Sequence, residues 1–164
     1  MRLSLLFMAF GGSLAQSSLV PSWSIGGVTP DLPLILTALI ALRRGPETGC
    51  LVGFASGLLQ DAASGGLLGV QALSRALAGF AMGLLPGRVW VGHPLVQIPG
   101  LLLLTIAEGL LRFGLLQLFH YPARLSELFV HVILPQALYN GFIGAACVVA
   151  FEAAQTLRRR PSWT

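Results

Sequence analysis

This chain contains no lysine, and few charges of any kind. Charged residues make up 10% of its 164 positions, against about a quarter in an average soluble domain. A soluble fold of this size cannot cover its surface with so little charge. That excludes an ordinary water-soluble enzyme or nucleic-acid-binding domain. The chain has two cysteines, Cys50 and Cys147, both in apolar runs and far apart. No disulfide framework or metal-ligand spacing is visible, and no metal or cofactor is expected. The G-x-S-x-G, Walker and H-E-x-x-H motifs are also missing. His93, His120 and His131 do not cluster, and no nucleophile–base pair lies at matched depth. The chain is not expected to be an enzyme.

What is present is apolar. Hydrophobic residues make up 55% of the chain, and the mean hydropathy is +0.80. Six apolar segments can be drawn, at about Leu3–Val20, Pro30–Leu42, Pro46–Gln60, Leu67–Leu85, Pro94–Phe119 and Leu128–Leu157. They predict an all-α integral membrane protein, a single transmembrane domain over residues 1–164 with six spans. A spanning helix needs about 20 apolar residues. The second and third segments fall short of that and must borrow length, thin the bilayer or form a re-entrant pair. Seven arginines (Arg2, Arg43, Arg44, Arg88 and Arg158 to Arg160) fall on the side of the termini, and Arg124 alone falls on the other. The positive-inside rule then puts both termini in the cytoplasm. Trp23, Trp90 and Tyr121 sit in loops, at interfacial positions. The opening "MRLSLLFMAFGGSLAQ" also fits a signal peptide cleaved after Ser13-Leu14-Ala15. The apolar run continues to Val20, which favours an uncleaved first helix.

Glycine recurs at every fourth position in the third segment, at Gly49, Gly53 and Gly57. Gly79, Gly83 and Gly87 repeat the spacing in the fourth. Ala9, Ser13 and Ser17 form a small-residue ridge on the first. In lipid, helices associate by close packing, and small residues at the contact are favoured. These stripes serve packing within the chain or docking of a partner's helix, and the same physics underlies both. On the docking reading, Gly53→Leu or Gly57→Leu breaks partner binding while the bundle still folds.

The third segment ends on Asp61, where the helix dipole disfavours an acid. Turn hydrogen bonds, an arginine or water must compensate it. Asp31, after Pro30, sits at a helix start and reads as a cap. Arg75 lies about 12 Å below the outer edge, eight residues past Leu67 at ~1.5 Å each. Arg112 lies at similar depth, eight residues before His120, and Glu108 is one turn further in. Lone charges at such depth face the bundle interior and pair. Arg75, Glu108 and Arg112 are therefore expected to converge on a polar centre. Gln71 should join it, and Gln136, Tyr139 and Asn140 should close it from the last segment. That centre reads as a structural ion network, as a pocket for an anionic ligand or as a proton relay.

The block from Pro30 to Leu85 resembles the MreD family of bacterial rod-shape-determining proteins. Pro30-Asp31, Arg44-Gly45, the ladder Gly49, Gly53 and Gly57, Leu58-Leu59, Asp61, Ser64-Gly65, Leu68-Gly69 and Ala72-Leu73 carry the resemblance. It implies an inner-membrane scaffold of the cell-elongation machinery that binds MreC. It further implies RodA and a class B penicillin-binding protein as partners within a larger complex, with MreB tied in indirectly. It also implies a helical bundle similar to the substrate-binding subunits of energy-coupling-factor transporters, and so a second reading as a small-molecule-binding transporter subunit. The expected partner surface is the first and third helices with Gly49, Gly53, Gly57 and Asp61, and the Asp61–Gly69 turn facing the periplasm.

Overall fold

A computed structural model describes residues 11–13, 16, 27–85, 94–122 and 124–158. The first apolar segment apart from residues 11–13 and 16 lies outside these, as do the readings placed on Arg2, Ala9, Ser17, Trp23, Gly87, Arg88, Trp90, His93, Arg159 and Arg160. The side chains of Cys147, Glu152 and Arg158 also lie outside them.

Helix α1 spans Leu32–Arg44. Asp31 caps it, its Oδ1 accepting the Leu34 N–H at 3.0 Å, and Pro33 stands in the first turn, where no N–H is missed. Arg43 and Arg44 in its last turn suit the dipole. Gly45, at φ 90°, makes the reversal alone, and α2 starts on the next residue, spanning Pro46–Ser64. Only glycine takes that backbone cheaply. Helix α2 is 19 residues long, further than its apolar run suggested. That is about 28 Å at ~1.5 Å per residue, close to the ~30 Å of a hydrocarbon core. It stops at Gly65 in the left-handed conformation. Helix α3 spans Val70–Leu84.

Helix α4 spans Pro94–Leu118. It closes with the Tyr121 N–H reaching the Leu116 carbonyl at 2.9 Å and His120 at φ 54°. The last segment is one long helix in three parts: α5, Leu125–Leu128; a π-helical turn, Phe129–Ile133; and α6, Leu134–Arg158. Pro135 explains the wide turn. Its ring crowds the carbonyl four residues back and it has no N–H to give, so the helix widens and the Leu134 N–H bonds Phe129 instead. The extra residue turns Ile133 towards α4 at Gly109, where it is buried.

Helix α1 lies against α2 and α3, α3 against α4, and α4 against α6. Leu34, Ala38 and Ala41 of α1 form the main apolar cluster with Ala78 and Met82 of α3 and Leu101 and Leu104 of α4. This placement accounts for the short second segment. Helix α1 is 13 residues, about 20 Å at ~1.5 Å per residue, and seven of them are buried by neighbouring helices rather than facing lipid. Irregular or short backbone at membrane depth is tolerated where protein covers it.

The distribution of side chains is the reverse of a soluble protein's. Asp31, Asp61, Arg75, Glu108 and Asn140 are buried, whereas Leu51, Phe54, Leu73, Leu77, Phe80, Leu103 and Phe142 are exposed. Ile98–Leu118 and Leu125–Ala146 are each long and apolar enough to cross a bilayer.

Candidate functional site

The described residues hold two polar constructions, one centred on Arg75 and one on Asp61, and Gln71 belongs to both. The first is built on Arg75, five residues into α3 and fully buried. Its Nη2 forms an ion pair with Asp31 Oδ2 at the start of α1. Its Nη1 donates to Gln60 Oε1 on α2, and Nη2 also reaches Gln71 Oε1 at 3.3 Å. Asp31 divides its work: Oδ1 caps α1, Oδ2 holds Arg75, and its own N–H donates to Asn140 Oδ1 at 2.7 Å. Asn140 then donates to Thr105 Oγ1 on α4 at 3.1 Å. One connected chain of polar groups thus ties α1, α2, α3, α4 and α6. Arg75 Nε is the buried side-chain polar atom without a partner among the described residues.

Gln16 extends the chain towards the N-terminal side. Its amide donates to the Pro30 carbonyl at 2.8 Å and accepts the Leu32 N–H at 3.0 Å. It lines a groove of about 210 Å³ with Ser13, Leu59, Gln60, Ala63 and Ser64. Gln136 donates to the Thr29 carbonyl at 3.4 Å, so the segment before α1 is held from both sides.

The predicted centre is therefore present but wired differently. Gln71, Arg75 and Asn140 share it. Glu108 does not pair with Arg75; it is buried and accepts the Ser74 hydroxyl at 2.7 Å. Arg112 is half-buried and forms no ion pair with Glu108 or any other described residue. The counter-ion of Arg75 is Asp31, 44 residues away, which the sequence suggested only as a cap. A carboxylate has two oxygens and can serve both purposes, and this is what local reading missed. The signal was available in the charge count: two deep arginines against one deep glutamate left a cation in need of a partner.

The second construction answers the problem of Asp61. This residue is buried at the C-terminal end of α2, and the chain doubles back so that it faces the start of α3. Its Oδ2 accepts the N–H groups of Gly69 at 2.9 Å and Ala72 at 3.1 Å, and Oδ1 that of Gln71 at 3.2 Å. An acid misplaced for its own helix dipole is well placed for the next one, whose free N–H groups it satisfies. Gly69 at φ 100° gives α3 no side-chain cap of its own.

The glycine stripe packs α2 against the α3 backbone that carries Arg75 and Gln71. A Cβ at Gly49 would meet the Gly79 carbonyl and the Ala41 side chain. At Gly53 it would meet the Arg75 carbonyl, and at Gly57 the Gln71 carbonyl and Ala72 Cα. Gly79 and Gly83 face back onto Gly49 and Pro46. The stripe expected to receive a partner helix is filled by α3 of the same chain. Gly49, Gly53, Gly57 and Asp61 are all buried, so no partner reaches them without opening the hairpin. Gly53→Leu is accordingly a folding variant, since leucine has nowhere to go but into backbone.

A helical bundle that turns leucine and phenylalanine outward and closes its ions inside is an integral membrane protein. The family model described as rod shape-determining protein MreD matches residues 1–154 of the 164, and the chain belongs to that family. No curated protein and no solved structure matches it.

Proposed function

We propose that this member of the rod-shape-determining family acts as an inner-membrane scaffold of the cell-elongation complex. It crosses the membrane six times with both termini in the cytoplasm. It holds MreC, and through that complex RodA, a class B penicillin-binding protein and, indirectly, MreB, so coupling peptidoglycan synthesis to cell shape. The observation that carries this reading is the closure of the polar centre. Arg75 and Asn140 are 0% exposed, Glu108 1% and Asp31 2%, so these side chains are packed within protein, and Gln60 at the edge of the centre lines the groove beside it. A small-molecule-binding subunit needs an enclosed chamber with polar groups turned into it. A scaffold needs a rigid bundle, and interlocked helices supply it.

With the glycine stripe used inside the chain, the surface offered to MreC is the turn after Asp61, where residues 62–68 are all exposed. In the orientation set by the arginines, that turn stands at the periplasmic face. Single cysteines at Ser64 and Leu68, in a chain with Cys50 and Cys147 replaced, should crosslink to MreC in native membranes. Cysteines at Arg43 and Arg44, on the opposite face, should not. Equal crosslinking from both faces, or none from the turn, contradicts this placement.

A further inference from the structure

Residues 11–13 are helical and rest on α1, where a Cβ at Gly12 would meet Leu36 Cδ1. Helix α2 rests on α1 as well. Between the two lies the groove of about 210 Å³, with Ser13 and Gln16 on one side and Leu59, Gln60, Ala63 and Ser64 on the other. It follows the last turns of α2. Gln60 stands four residues from the helix end, or about 6 Å at ~1.5 Å per residue. Leu59 and Gln60 are half-buried there, and Ala63 and Ser64 are exposed. No lining residue carries a charge.

The polar atoms along this groove are not all spent. Gln16 uses both ends of its amide on the Pro30 carbonyl and the Leu32 N–H. Ser64 donates its hydroxyl to the Asp61 carbonyl at 3.2 Å, which leaves its oxygen able to accept. Gln60 is different. Arginine can only donate, so it is the amide oxygen of Gln60 that faces Arg75. The amide nitrogen then turns away from Arg75, and it donates to no described residue. Gln60 is thus fixed at one end by the buried ion pair and carries two unused N–H groups at the other. At membrane depth an unmet donor is costly, because lipid tails offer it nothing.

We propose that this groove seats a membrane helix of the partner, through an asparagine, glutamine, serine or threonine whose oxygen accepts from Gln60. Side chains of this kind hydrogen-bond across helices in lipid, and small residues let the backbones come close. Ser13, Ala63 and Ser64 supply the small residues. A lipid head group would bring a phosphate, and no cation lines the groove to meet it. A free small molecule is also a poor fit, since about 210 Å³ falls below the ~300–1,000 Å³ of ligand pockets. The groove runs into the exposed turn at Ser64, so one partner can span both. The inference rests on the scaffold reading and adds to it a second contact, within the membrane, and its chemistry.

The test uses the full chain in native membranes, with Cys50 and Cys147 replaced. Ala63→Cys, in the groove, should crosslink to MreC, as should Leu68→Cys in the turn. Leu73→Cys, on the exposed face of α3, should not. Ala63→Trp fills the groove from an exposed position and should lower co-purification of MreC about tenfold while the bundle still folds. Gln60→Glu keeps an oxygen for Arg75 but removes both donors, and should lower it at least about threefold. Leu73→Trp should leave it unchanged. If Leu68→Cys crosslinks to MreC and Ala63→Cys does not, the groove is not the seat and the scaffold reading stands. Full co-purification by a folded Ala63→Trp variant has the same meaning. If neither cysteine crosslinks, both readings fall. A crosslink from Ala63→Cys to a second copy of this chain, in place of MreC, also overturns the proposal.

Discussion

The two helix pairs at the heart of this bundle meet in different ways. Between α2 and α3 the contact is backbone against backbone: Gly49 on Gly79, Gly53 on the Arg75 carbonyl, Gly57 on the Gln71 carbonyl. Between α4 and α6 the approach is looser and the tight contacts are with side chains: Gly144 is covered by Leu101 and Gly109 is filled by Ile133 of the adjoining π turn, while a Cβ at Gly141 would stay 3.3 Å from the Ile98 carbonyl. Side chains can change rotamer, whereas a carbonyl in a helix cannot move without its helix. The first pair is therefore rigid and intolerant, and it carries both polar constructions. The second is adaptable, and its outer end carries the unpaired Arg112. A scaffold gains from having one half that cannot deform and another that can adjust to what surrounds it.

The sharpest way to break the rigid half is through its ions. Arg75→Met leaves the Asp31 carboxylate buried beside an apolar side chain, and breaking one partner of such a pair destabilises by about 3–5 kcal/mol. Loss of folded protein on size exclusion is the expected result. Asp31→Asn with Arg75→Met should recover part of it, because no bare charge remains. If the double variant is no better than Arg75→Met alone, the pair is not what holds α1 to α3. Gly53→Ala comes next. One methyl group aimed at the Arg75 carbonyl should destabilise at the upper end of the ~1–3 kcal/mol seen for overpacked cores, read as a lower midpoint in a denaturing-detergent titration. A neutral result would mean that the helices can part, and the contrast between the two pairs would collapse.

Much of this architecture could be read from residue order. The turns announced themselves as Gly45-Pro46 and as the glycine-rich run after Ser64. The apolar segments from Pro30 onward overlap the observed helices. Arg75, Gln71 and Asn140 were visible as polar residues stranded in apolar runs. Pairing was not legible, because it depends on where helices cross. Asp31 satisfied its local role so well that nothing pointed to a second one, and Glu108, one turn from Arg112, suggested a pair that the structure does not form. The glycine stripes marked a close contact, but a helix of the same chain and a helix of another leave the same trace. The π turn left only Pro135 as a sign.

Asp61 gives the next smaller effect. Asp61→Ala removes the acceptor of three N–H groups at the start of α3. Cap removal destabilises by ~0.5–2 kcal/mol, and the multiple bonds place this case near the top of that range. Asp61→Asn keeps one acceptor oxygen and should fall between. Hydrogen exchange at Gly69, Gln71 and Ala72 reports the loss directly, and unchanged protection there would show that the carboxylate does not cap α3.

The smallest effect tests the adaptable half. Gly109→Ala adds a methyl group that would sit 2.8–3.0 Å from three atoms of the Ile133 side chain, too close unless Ile133 turns aside. Because the obstacle is a side chain, that adjustment is available. It works against the gain of up to ~1 kcal/mol that alanine brings over glycine in a helix. The two should nearly cancel, leaving the unfolding midpoint within about 1 kcal/mol of the parent. Gly114→Ala, with no atom within 4 Å of the new methyl group, keeps the gain without the adjustment and should be neutral to slightly stabilising. If Gly109→Ala instead proves as damaging as Gly53→Ala, then Ile133 is locked by the π turn around it. The α4–α6 pair would then have to be counted as rigid as its neighbour.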